Sequence, residues 1–267
     1  MTSFFSTTRY RAALLALPLL LTATGAHAQD GADDEERRVR IALGPELKPS
    51  YPGASDHSLG PFIDVDIARG DTPFAHEAAD ESTGSPLLNL GAIDIGPIVA
   101  VTGKRTAEDT TPGLREIGTT FEAGASITAT ISPSIYAFAE VLHGIGGHDA
   151  LRGQAGVDFV TRDGDAWVLA AGPRMTFGSG KHARAYFGVT PAEAAASGID
   201  AFDPDGGIQS IGGAITGEFA ITPRWGLAAY GRLERLIGDA ADSPVTRAFG
   251  KRSQLSGGIA LTYTFRR

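Results

Sequence analysis

Four stretches of this 267-residue chain combine residue types that could do chemistry. His143-Gly144-Ile145-Gly146-Gly147-His148 sets two histidines five apart. A metal site needs convergent ligands in a defined geometry. Flexible glycines separate these two, and no carboxylate pair sits at helical spacing, so the stretch reads as a strand end and a turn. Gly178-Ser179-Gly180-Lys181 resembles a phosphate loop at a glance. It fails the G-x-x-x-x-G-K-[ST] pattern, because Met175 holds the first glycine position and His182 follows the lysine. It therefore reads as a turn. Asp200 to Gly207 (DAFDPDGG) is acidic enough for calcium but lacks the bidentate glutamate of an EF-hand loop. Asp-Pro-Asp-Gly is first a turn signal. The fourth set is a series of charges, Asp64, Asp66, Glu122, Glu140, Arg152, Asp158, Arg174, Glu218, Arg232 and Glu234, each on the polar side of an alternating run.

No G-x-S-x-G elbow occurs, and the scattered histidines allow no serine triad to be placed. A barrel lipase or deacylase would need Ser and His on adjacent strands. The sequence thus predicts no catalytic residue, no metal site and no cofactor. With no cysteine, disulfide scaffolds, thiolate metal sites and cysteine nucleophiles are excluded. A formal net charge of −8 argues against nucleic acid as a partner.

The elements that must position the charges are strands. In Glu116–Ile131, the residues Ile117, Thr119, Phe121, Ala123, Ala125, Ile127, Ala129 and Ile131 share one face. Glu116, Gly118, Thr120, Glu122, Gly124, Ser126, Thr128 and Thr130 share the other. Successive strand side chains point to opposite sides, so one face is apolar and one polar. The pattern recurs near Val39–Leu47, Ile63–Ile67, Leu151–Phe159, Trp167–Phe177, Ile211–Phe219, Trp225–Glu234 and Leu255–Phe265. Several runs exceed ten residues. Soluble strands average about five or six, whereas a transmembrane strand needs about nine to eleven.

Residues 1–28 carry a basic start (Arg9, Arg11), an apolar run and an Ala26-His27-Ala28 cleavage site, which predicts a secretory signal. Residues 29–38 read as an acidic, solvated tail, and residues 39–267 as the folded domain. The fold predicted is an all-β, antiparallel up-and-down transmembrane barrel of about twelve strands, within a range of ten to fourteen. Longer connections fall near 48–60, 70–86, 104–115, 189–206 and 238–252. Two of them predict short helices, one from the capping box Thr190-Pro191-Ala192-Glu193, the other at Gly238–Asp242 before Ser243-Pro244. Phe74–Ala78 and Leu87–Ala92 compete for one strand. In such a barrel the charges would face the lumen. Two roles are open to them, a bracing network of ion pairs and water, or a polar pore whose charges set selectivity.

A family likeness rests on particular strings. Tyr186-Phe187-Gly188-Val189-Thr190-Pro191-Ala192-Glu193-Ala194 comes first, and Arg235-Leu236 with Gly238-Asp239-Ala240-Ala241-Asp242-Ser243-Pro244 second. Looser matches are Pro49-Ser50-Tyr51-Pro52-Gly53-Ala54-Ser55, Gly103-Lys104-Arg105, Trp225, Tyr230, Gln254, Gly257 and Tyr263-Thr264-Phe265. Together these resemble the MipA/OmpV family of MltA-interacting outer membrane proteins. The resemblance implies a barrel in the outer-membrane lipid and, for the name-giving member, a scaffold between a lytic transglycosylase and a peptidoglycan synthase. Other members are linked to solute uptake, osmotic adaptation and antigenicity. No catalytic role carries over. One departure is the end, Phe265-Arg266-Arg267, where assembly machinery usually reads a terminal aromatic. The first expectation is a non-enzymatic scaffold, and the alternative is a narrow channel for small polar solutes. Oligomeric state is unreadable from the pattern.

Overall fold

The computed structural model describes residues 36–266. The signal and most of the acidic tail lie outside the described residues. Ten long strands build the wall: β1 (Arg37–Pro49), β2 (His57–Arg69), β5 (Ile93–Thr102), β6 (Thr120–Ser132), β7 (Ile135–Ile145), β8 (Leu151–Asp163), β9 (Trp167–Gly178), β10 (Gly207–Ala220), β11 (Trp225–Leu236) and β12 (Ser253–Arg266). Two short strands, β3 (Thr83–Gly84) and β4 (Leu88–Asn89), line the outer edge of β5. Every pairing is antiparallel, and β1 pairs with β12, so the meander curls into a nearly closed barrel. β1 takes in Arg37 and Arg38, which the sequence reading had placed in the tail.

The alternation decides which side faces out. Leu43, Val65, Val101, Phe121, Phe159, Phe219 and Leu233 are exposed on the outer face, while Glu122, Glu140, Asp158 and Arg174 are buried inside. That is the inverse of a soluble protein and suits lipid outside and a polar interior. Trp225, Tyr263 and Phe265 form an aromatic row on the outside near the chain termini, with centroids 4.6 and 4.7 Å apart. Amphipathic rings suit the interface at that level. Within the wall, a Cβ at Gly172 would come 1.7 Å from Val157 O, so only glycine admits that close strand approach. No helix among the described residues is long and apolar enough to cross a membrane.

The two ends differ. Three two- to four-residue turns, after β6, β8 and β10, gather with both ends of the wall at one end, and the chain leaves β2 for the lumen there. The other end holds the long connections and every helix: α1 (Gly180–Phe187), α2 (Pro191–Ser197), α3 (Gly238–Asp242) and α4 (Pro244–Phe249). The capping box on α2 is present, and Gly198 closes that helix in the left-handed region at φ 75°. α3 sits where Gly238–Asp242 predicted it, and Pro244 starts α4 in place of ending a turn. Gly178–Lys181 is not a simple turn: Ser179 caps α1, accepting from His182 N.

Two expectations about closure need correction. Among the described residues no strand pairs with the outer edge of β2, which leaves a seam between β2 and the β3–β5 edge. Pro61 in β2 and Pro97 in β5 lack donors there, as proline in edge strands can. Neither Phe74–Ala78 nor Leu87–Ala92 forms a long strand. The first is non-strand backbone, and the second contributes only β4.

Candidate functional site

Residues 70–82 do not run over the surface. They turn inward from the end of β2 and fill the lumen, crossing it before Thr83 joins the edge of β5. Buried irregular backbone must find partners for its polar groups, and side chains of the strands and of the β8–β9 turn supply them. Asp165 Oδ1 accepts from Phe74 N at 2.9 Å, and Arg162 Nη1 donates to Phe74 O at 2.8 Å. His76 Nε2 lies 3.3 Å from Asp158 Oδ2. Ser82 donates to Glu140 through both its amide (2.7 Å) and its hydroxyl (2.9 Å). Tyr136 Oη donates to Glu81 at 2.9 Å.

Asp80 is the hub. Arg174 of β9 grips it through Nε (2.8 Å) and Nη2 (2.9 Å), and Arg232 of β11 adds Nη1 at 2.9 Å. Arg174 also holds Asp158 at 2.7 Å, and Arg232 reaches Gln154 at 2.6 Å and Glu234 at 2.8 Å. Arg174, Asp80 and Asp158 side chains are all 3% exposed or less, so these are desolvated pairs of high geometric quality. One residue of the inner segment thereby ties two non-adjacent strands.

The ten luminal candidates thus divide by place. Glu140, Asp158, Arg174, Arg232 and Glu234 belong to the central network. Asp66 and Glu218 hold Arg40 near the terminus-side mouth, at 2.8 and 2.5 Å. Asp64 sits beside them and accepts from Val65 N. Glu122 and Arg152 lie at the far end, under the cap. Sequence reasoning missed Asp80, Glu81, His76 and Ser82, because they belong to a stretch read as a connection. Arg40 and Gln154 fall on the polar side of their runs by parity but were not among the ten candidates, and Tyr136 was unremarked.

Under the cap, Arg152 clasps Glu122 through Nε (2.6 Å) and Nη2 (2.5 Å). His148 Nδ1 accepts from Ala150 N at 3.2 Å, which leaves the proton on Nε2 to donate to Glu122 at 3.0 Å. Both ring nitrogens are thus engaged, and the histidine fastens the β7–β8 turn to Glu122. His143 projects from the end of β7 and lies 3.6 Å from exposed Asp149, away from His148. Among the described residues no group of three or more histidines and carboxylates could hold a metal ion. Asp205 N is instead bound to Asp239 Oδ2 at 2.8 Å, folding the acidic 200–207 turn onto α3.

The cap is built mostly of apolar and aromatic groups. Tyr186, Phe187, Ala185, Tyr51, Ile117 and Leu236 form one cluster, and Leu114, Val189 and Val245 another. His182, Tyr186 and His148 pack ring to ring at 5.0–5.7 Å. Burial, then the nearby His148 and Arg152, lowers His182 to about 3, so it is neutral. The two family strings meet here: Ser243 Oγ donates to Phe187 O at 2.6 Å. Of the other string residues, Gly188 ends α1, Pro191 starts α2, Gly238, Asp239 and Asp242 lie in α3, and Pro244 starts α4. Arg105, from the Gly103-Lys104-Arg105 turn, is 1% exposed and donates to Tyr186 O (2.6 Å) and Ala185 O (3.1 Å). It satisfies the last carbonyls of α1, where a cation is favoured.

A barrel with an apolar outer band, an aromatic row, membrane-length strands and a polar filled interior is an outer-membrane β-barrel protein. The family described as "MltA-interacting protein MipA" matches residues 41–265, and this chain belongs to it. No curated protein matches the chain. Among solved structures it is similar to the outer membrane protease OmpT from Escherichia coli, at 12% identity, covering 87% of this chain and 97% of that one, with a TM-score of 0.26. It is also similar to a Pseudomonas aeruginosa FadL homologue (8% identity, 86% and 89% covered, TM-score 0.29) and to the P. putida toluene transporter TodX (8%, 88% and 91%, TM-score 0.30). At these scores the likeness carries no argument about activity or substrate.

Proposed function

We propose that this protein is a non-enzymatic outer-membrane scaffold that holds peptidoglycan-remodelling enzymes, a lytic transglycosylase and a peptidoglycan synthase, against the membrane. The observation that carries the reading is the filled lumen. Residues 70–82 cross the interior and are tied to β7, β8, β9 and β11 by hydrogen bonds and ion pairs, most of them to charged groups. Such a barrel is a braced post more than a conduit, and this weighs against the alternative of a narrow solute channel. The family's description supplies the kind of partner. Short turns face the periplasm in bacterial barrels and longer loops face outward. By that rule the terminus-side turns are the surface offered to periplasmic enzymes, and the helical cap faces the exterior. Cleavage of the signal near Ala28 belongs to the same reading.

The test is capture. Intact cells are crosslinked, a tagged chain is purified, and peptidoglycan hydrolases and synthases are compared with those on an unrelated barrel. Several-fold enrichment is expected. No enrichment from a correctly inserted chain would remove the scaffold.

A further inference from the structure

Two arginines stand side by side on the outer wall at its terminus-side end. Arg37 opens β1 and Arg69 closes β2, and the register sets them directly opposite each other. Parity turns both outward. The next rungs on that face pair Val39 with Ile67 and Ile41 with Val65, while Arg38, Ala42, Asp66 and Ala68 are buried inside. Residues paired across a ladder have Cβ atoms about 5 Å apart, and like charges there repel. Arg38 and Arg40, which turn inward from the same strand, are answered by Asp165, Asp66 and Glu218. Arg37 and Arg69 are both exposed, and among the described residues neither side chain has an ionic or hydrogen-bond partner. The pair lies where the apolar band ends. On the other side of β1, Val39 pairs with Phe265 and Ile41 with Tyr263, so the aromatic row begins one outward rung from the arginines. That rung is two residues, about 7 Å, along the strand. β2 is also the open edge of the wall, so no strand among the described residues flanks Arg69 on its far side.

We propose that Arg37 and Arg69 form a site on the outer wall for the phosphodiester headgroup of an anionic membrane lipid. Planar guanidinium forks match phosphate oxygens in geometry and charge. One phosphate set between the two forks turns their mutual repulsion into two charge-assisted contacts. The headgroup must carry a net negative charge, because a zwitterionic lipid brings its own ammonium to two cations that already lack a counter-charge. The acyl chains then lie along Val39, Ile41, Val65 and Ile67, a strip that a free phosphate cannot use. Arginine at the end of a membrane segment keeps its stem on apolar surface and its head among the headgroups. The site rests on the barrel's place in lipid and stands whether or not the barrel scaffolds cell-wall enzymes.

The experiment titrates the refolded full chain, held in detergent micelles, with dioctanoyl phosphatidylglycerol or dioctanoyl phosphatidylcholine, and native mass spectrometry counts the bound lipid. Phosphatidylglycerol is expected to bind at least fivefold more tightly. Arg37→Gln together with Arg69→Gln is expected to abolish the preference. Arg69→Lys, which keeps the charge but loses the fork, is expected to reduce it at least twofold. Arg69→Glu gives Arg37 a partner across the ladder, so the barrel is expected to keep its heat-modifiable gel mobility while the preference is lost. Arg235→Gln, which removes an arginine at the cap end of β11, is expected to leave the preference unchanged. Equal affinity for the two lipids, a preference that survives Arg69→Glu, or an equal loss in Arg235→Gln would overturn the site. Displacement of the bound phosphatidylglycerol by equimolar inorganic phosphate would assign the arginines to free anions and overturn the lipid.

Discussion

The middle of the lumen and the cap bury polar groups in different ways. In the middle, charges answer charges: Asp80 is shared by Arg174 and Arg232, and Asp158 is held by Arg174 and His76. At the cap the pair Glu122–Arg152 lies beneath a lid of rings and aliphatic side chains, with His182 kept neutral among them. The first arrangement fixes which strands stand across from the inner segment, since removing one partner strands another charge. The second depends on packing, which fails locally and gradually. A barrel wall needs the former to stay filled. A surface cap joined by loops can use the latter.

The comparison predicts that substitutions in the middle act globally. Asp80→Ala leaves two buried arginines short of a partner, a loss on the order of 3–5 kcal/mol. Urea unfolding of the refolded barrel should shift as a whole, and an unchanged midpoint would break the distinction. At the cap, Tyr186→Ala removes a ring that is 1% exposed, at a cost of about 3 kcal/mol. That loss should appear as proteolysis within 180–206 and 237–252 while the strands keep their heat-modifiable gel mobility.

Acid should separate the regions further. His182 is neutral when folded, lowered to about 3, and ordinary near 6.5 when unfolded. Its contribution is intact above pH 6.5 and declines as pH falls toward 3, by on the order of 2 kcal/mol at pH 5. Burial opposes the ionisation of Glu193, but Arg115 and Thr190 outweigh it and bring it to about 2. Its contribution is likewise present above its ordinary 4.5 and lost toward 2. Amide protection in α1, corrected for intrinsic exchange, should therefore fall between pH 7 and 5, that in α2 should fall only below about pH 4.5, and His182→Leu should flatten the α1 dependence. Equal α1 protection at pH 7 and 5 would contradict it. The smallest effect is expected from Arg115→Ala. Its bond to Glu193 is 3.0 Å long but the guanidinium is half in solvent, so at most about 1 kcal/mol is lost, seen as slightly faster exchange of α2.

Much of the wall was legible because burial in lipid imposes a strict period of two over long runs. Glu122, Glu140 and Arg174 fall on the polar side by parity alone, and the structure finds them inside. The inner segment was not legible. His76, Asp80 and Glu81 make an ordinary polar connection locally, and their partners lie 55 to 152 positions away. Only a pairing of those charges in space reveals the plug. α1 hid behind Gly178-Ser179-Gly180, which reads as turn chemistry. The spacing of Ala183, Tyr186 and Phe187 after a serine cap was the available helix signal. β3 and β4, at two residues each, are too short for any periodicity.

Conductance tests the central claim, that residues 70–82 fill and brace the lumen. The refolded chain and a variant with residues 73–81 replaced by a Gly/Ser linker of equal length are each reconstituted in planar bilayers. A silent wild-type barrel and a conducting or unstable variant are predicted. Steady wild-type conductance, unchanged in the linker variant, would contradict the account.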